Sequence, residues 1–150
     1  MIEFSYKLVG TGWSEARIAD GQAHATLTAS YLSNALGDLL AALVLLNKGA
    51  DEAEFSWEEE PGEYTWLFRR AGSDASLSIR WFEDQHRRVA DDPGRVVFET
   101  KQPLAALTAA IAHGAATLLA EVGERGYAEK WYEHPFPTRE LEELTRPRTT

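Results

Sequence analysis

The first nine residues alternate. Ile2, Phe4, Tyr6 and Leu8 fall on one side, and Glu3, Ser5 and Lys7 on the other. A period of two is the signature of a half-buried strand. Gly10-Thr11-Gly12 ends it, and residues 22–28 (Gln-Ala-His-Ala-Thr-Leu-Thr) read as a second strand paired with the first. The period then changes. Leu32, Leu36, Leu39, Leu40, Leu43 and Leu46 recur mostly at steps of three and four, which predicts a helix over 30–48. Ser30 suits its N-cap, Lys48 its last turn and Gly49 the position just beyond. Ala, Val and Leu cover most of its circumference, so the helix should be largely buried.

Strands are predicted next at 53–60, 63–70 and 75–83. Glu60-Pro61-Gly62-Glu63 is a strong turn signal between the first two. A loop there sets Trp57 opposite Trp66 and Phe55 opposite Phe68. Every large aromatic then shares one face, which Leu77, Ile79 and Trp81 extend. The opposite face carries Glu54 across from Arg69 and Glu58 across from Thr65. The polar stretch 84–95, with Asp92-Pro93-Gly94, reads as a long hairpin loop before another strand at 95–101. Pro103 fits the first turn of a helix running to about Val122 and ended by Gly123. Residues 126–134 suggest a further helical turn around Trp131. Thr138 is placed to cap a last short helix rich in Glu near its N-terminus.

The resulting order is β-β-α-β-β-β-β-α-α. Consecutive hairpins predict an α+β fold with one antiparallel sheet of about six strands and the helices packed on one face. The length, 150 residues, is that of one domain, and the tail from 145 should fray.

Composition narrows the function more than it names it. The hydrophobic fraction of 44% argues for a packed core rather than a disordered chain. There is no cysteine, so disulfides and thiol chemistry are excluded, which suits a cytoplasmic setting. The N-terminus lacks the basic start and apolar run of a secretion signal. The most apolar stretch, 35–46, is too short to span a bilayer. The net charge of −9 disfavours nucleic acid and anionic membranes as partners and favours a basic protein. Eleven of the fifteen basic residues are Arg; together with abundant Ala this points to a bacterial chain of GC-rich origin.

Candidate chemistry is sparse. His24, His86, His113 and His134 show no pairwise spacing suited to a metal, and no nucleophile elbow or glycine-rich phosphate loop is present. No catalytic residue, metal site or cofactor is therefore assigned. Asp38 stands out as a carboxylate inside an apolar helix, most simply facing solvent or bonding backbone. Acidic residues concentrate at Asp51, Glu52, Glu54, Glu58, Glu59, Glu60 and Glu63. Glu58 and Glu59 are strand neighbours pointing to opposite faces, so they do not form a paired-carboxylate centre. The plainer account of this cluster is a solvated edge with Arg partners; the functional account is an acidic surface for a basic protein. Of the five tryptophans, Trp57, Trp66 and Trp81 fall on the predicted buried face, whereas Trp13 and Trp131 lie near loops, where they could line a groove.

The segments Trp57-Glu58-Glu59-Glu60-Pro61-Gly62-Glu63-Tyr64-Thr65-Trp66 and Gly126-Tyr127-Ala128-Glu129-Lys130-Trp131 resemble patterns in small uncharacterised bacterial proteins. Some of those are similar to immunity proteins of polymorphic-toxin systems. The resemblance implies a non-enzymatic domain that neutralises a toxin by binding it, and it supplies no catalytic residue. The binding residues expected from the sequence are Glu54, Glu58, Arg69, Trp13 and Trp131. A small-molecule domain, with a cavity between the sheet and the helix at 103–122, is the alternative, and homo-oligomerisation stays open.

Overall fold

A computed structural model describes residues 1–83, 94–131 and 134–146. Among the described residues, seven strands form two antiparallel sheets rather than one, and three helices accompany them. The first sheet holds β1 (Glu3–Leu8), β2 (Trp13–Ala19) and β3 (His24–Ser30) in sequence order. The second holds β4 (Glu52–Glu58), β5 (Glu63–Ala71), β6 (Asp74–Phe82) and β7 (Arg95–Pro103), also in sequence order. Helix α1 (Ala35–Asn47) joins the sheets, and α2 (Leu104–Lys130) and α3 (Thr138–Thr145) follow them.

β2 is the strand that sequence reading passes over. Its inward residues are Ser14, Ala16 and Ile18, two of them small, so the apolar alternation is faint. β2 lies between β1 and β3, which therefore do not pair with each other as expected. The chain from Ser30 to Asn34 is also not helical. β3 runs through Ser30, α1 begins at Ala35, and Leu32 is left 49% exposed.

The β4–β5 register differs from the expected one by two residues. Trp57 faces Tyr64, Phe55 faces Trp66 and Ala53 faces Phe68. The turn occupies 59–62, with the Glu59 N–H donating to the Gly62 carbonyl at 2.7 Å. A shift of two leaves each side chain on its original face, which is why alternation alone cannot separate the two registers. Trp57 and Trp66 still meet, with ring centroids 4.8 Å apart.

Both sheets contribute to one buried cluster. Phe4, Ile18 and Leu27 of the first sheet join Trp66, Phe68, Leu77 and Ile79 of the second, under Leu36, Leu40, Leu107 and Ile111 of the helices. Phe55 packs against this cluster half-buried, and Trp81 pairs with Tyr64 at 4.8 Å. Gly123 interrupts α2 with a left-handed φ of 70°, so the helix ends there, as the sequence suggests, and resumes after the kink. By length and composition α2 could span a bilayer; in this fold Leu107, Ile111, Ala115 and Leu118 are buried in the shared core. The hairpin loop expected at 84–95, with His86, falls mostly outside the described residues, as does the tail beyond 146.

Candidate functional site

The second sheet has one face in the core and one turned outward. Strand alternation places Glu52, Glu54, Ser56 and Glu58 of β4 on that second face, beside Leu67 and Arg69 of β5 and beside Glu63 and Thr65, which are themselves buried. Glu54, Glu58 and Arg69 thus share the side opposite the buried tryptophans. Their neighbours differ from those expected. Glu54 lies across from Leu67 and Glu58 across from Glu63, while Arg69 faces Glu52 and ion-pairs with it at 3.5 Å. Both members of that pair are largely exposed, so it adds little to stability. Among the described residues β4 pairs in the sheet with β5 alone, so this row of carboxylates lies along a sheet edge. Charged edges also deter strand-to-strand aggregation, the plainer role for such a row.

The acidity is greatest at the β4–β5 turn. Burial pushes the Glu58 carboxyl above its ordinary value, and the neighbouring Glu63 and Glu60 charges push it further. Burial likewise raises Glu59. Among the described residues, none of Glu58, Glu59 and Glu60 forms an ion pair. Two hydrogen bonds hold the turn in place: Thr28 Oγ1 of β3 donates to Glu59 Oε2, and the Glu58 N–H donates to Ser33 Oγ at 3.1 Å. The acidic turn is therefore fastened to the C-terminal end of β3.

A carboxylate raised in the folded state favours folding when protonated. That contribution is present below the unfolded value and is lost as pH rises through the folded one. Glu58→Gln should therefore stabilise the protein at neutral pH, by about 0.2–1 kcal/mol, the scale of one cross-strand pair. Denaturant melts of the two proteins should converge in acid. A variant less stable than wild type at pH 7 would contradict this account of Glu58.

Trp13 and Trp131, paired in the sequence reading, part company here. Trp13 stands at the start of β2 on the outward face of the first sheet and is 39% exposed. Trp131 is fully buried beside Tyr127, where no partner protein can touch it. Among the described residues, its indole N–H and the hydroxyls of Tyr6 and Tyr127 are buried without a hydrogen bond of normal geometry. Burial raises both phenols above their ordinary value.

Open concave surfaces lie elsewhere on the described residues. A trough of about 820 Å³ crosses the outward face of the second sheet, lined by Leu67, Arg69, Ser78, Glu99, Lys101 and, from the β2–β3 turn, Asp20. Its charges are mixed. Grooves of about 580 and 480 Å³ flank the contact between β1 and α2 and share Phe4 and His113. One is walled by Ile2, Ala106, Ala109 and Ala110, the other by Lys7, Glu15 and Arg17. Among the described residues no group of three His, Asp or Glu side chains is arranged to hold a metal.

No protein-family model and no curated protein matches the sequence. Among solved structures, a chain of the CdiA-CT/CdiI toxin and immunity complex from Enterobacter cloacae is similar, with a TM-score of 0.48 and 10% identity. The similarity covers 77% of this chain and 99% of that one.

Proposed function

We propose that this chain is a non-enzymatic protein-binding domain of immunity type, which neutralises a basic toxin by occupying it. The observation that carries the reading is the strip of carboxylates along the β4 edge and its turn. Glu54, Glu58, Glu59 and Glu60 crowd one rim without a cation paired to any of them among the described residues, in a chain of net charge −9. Glu58 and Glu59 are partly desolvated, so ionising them costs the folded protein free energy that a docked cation would offset. Such a field also speeds encounter with a positively charged surface.

The test is co-expression of the chain with a toxin encoded by a neighbouring gene. The reading predicts a stable complex and rescue of growth. A Glu54→Lys/Glu58→Lys variant should remain folded, because Glu54 is exposed and a lysine at 58 would face Glu63 across the ladder where two like charges now stand. It should lose most of the rescue. Undiminished rescue by that variant would remove the acidic strip from the interface.

A further inference from the structure

We propose that the partner docks at the end of the molecule where Val9, Trp13 and Leu32 adjoin the acidic turn, and that it presents there an apolar or aromatic side chain flanked by lysine or arginine. The inference rests on the protein-binding reading above and gives that surface an anchor.

Three exposed apolar side chains gather at one end of the first sheet. Val9 follows β1, Trp13 opens β2 and Leu32 follows β3; they are 47%, 39% and 49% exposed. Backbone hydrogen bonds hold these strand ends together. The Val9 N–H donates to the Trp13 carbonyl at 2.8 Å, and the Tyr31 N–H donates to the Gly12 carbonyl at 3.0 Å. Trp13 lies across from Ser30 in the β2–β3 ladder, one diagonal step from Thr28, the residue that bonds Glu59. Ser33, next to Leu32, takes the N–H of Glu58. The same short stretch of β3 and its exit thus fixes the apolar side chains and the acidic turn side by side.

This combination has the form of an interface centre. A partly exposed Trp offers a large contact area at small entropic cost, and hot spots are enriched in Trp. Trp57, Trp66 and Trp131 are fully buried in the same chain, whereas Trp13 is left outside the core. The adjoining charge selects the occupant. Glu58, Glu59 and Glu60 repel a second copy of this chain presenting the same end, and they favour a cationic partner.

The test uses a capped peptide of about 15 residues in which about six lysines alternate with leucines around a central phenylalanine, with a glutamate counterpart as control. Acrylamide quenching of Trp13, isolated as the difference between wild type and Trp13→Phe, reports docking. The basic peptide should bind and shield Trp13, and the acidic one should do neither. Trp13→Ala should weaken the basic peptide by about tenfold or more, the effect of losing a modest hot spot. Trp13→Phe, which keeps an aromatic ring, should lose much less and shows whether the fold tolerates change at this site. If the basic peptide binds with a salt dependence set by Glu54 and Glu58 but leaves Trp13 open, the anchor is wrong while the acidic reading stands. If no basic peptide binds, both fail. A dimer of the chain that shields Trp13 without any peptide would assign this end to self-association and overturn the proposal.

Discussion

Trp66→Ala should destabilise the protein by about 3–5 kcal/mol, the range for large-to-small aromatic changes in cores. Trp66 is fully buried and sits among Trp57, Phe55 and Phe68, with ring centroids 4.8, 5.6 and 6.4 Å away. For a chain of this size the loss corresponds to a fall in Tm of roughly 6–20 °C. The indole N–H of Trp66 is itself buried without a hydrogen-bond partner among the described residues. Trp66→Phe, which keeps a ring and removes that orphan donor, should therefore cost much less than the alanine change. Urea melts of the three proteins decide the matter. A Trp66→Ala loss under about 1 kcal/mol, the scale of surface sites, would mean that this face of the second sheet is not the core.

The second large effect has a sign that intrinsic propensity gets wrong. In a helix interior Gly costs about 1 kcal/mol relative to Ala, so Gly114→Ala in α2 ought to stabilise. Packing reverses this. A methyl group at Gly114 would lie 2.6 Å from the Phe4 ring and 2.8 Å from the Phe4 carbonyl oxygen. The ring can turn on its own, but the carbonyl belongs to β1, which would have to move as a strand. Overpacking of this kind costs about 1–3 kcal/mol, so we expect a net loss of about 1–2 kcal/mol and faster amide exchange in β1. Gly126→Ala is the matched control. Its added methyl meets Val122 at 3.3 Å, a contact that needs a shift of only a few tenths of an ångström, so its loss should be much smaller than that of Gly114→Ala. A stabilising Gly114→Ala would show that α2 does not approach β1 so closely.

These two sites mark what the sequence makes legible. The aromatic alternation in 53–83 identifies the buried face correctly, because period two fixes parity whatever the register. It does not fix which residues oppose one another, and Arg69 accordingly pairs with Glu52 instead of Glu54. β2 is hidden because Ser14 and Ala16 point inward, where stronger apolar residues would have announced a strand. Missing β2 also hides the position of Trp13, which reads as a loop residue until Glu15 and Arg17 are seen to share its face. The partition of the strands into two sheets has no local signal at all, since it depends on which edges α1 separates. Leu32 fits the leucine spacing of α1 yet lies before the helix, and only its exposure reveals it as surface. Trp131 shows the opposite failure: placed near a loop by sequence, it is drawn into the core beside Tyr127 by the helical stretch after Gly123. The acidic cluster itself is plain in the sequence. Its attachment to β3 through Thr28 and Ser33 is a long-range contact that no local pattern encodes.

The central claim is that the carboxylates of the β4 edge steer a basic partner. Its most direct test is the association rate measured against ionic strength, by stopped flow, with wild type beside Glu54→Lys/Glu58→Lys. Exposed charges act over about 8–10 Å at physiological salt, so steering should show as a rate that falls steeply as salt is added. The account predicts that the double variant associates markedly more slowly at low salt, with a flatter slope, and that the two proteins approach a common rate at high salt. Equal rates and equal slopes across the whole range would contradict it.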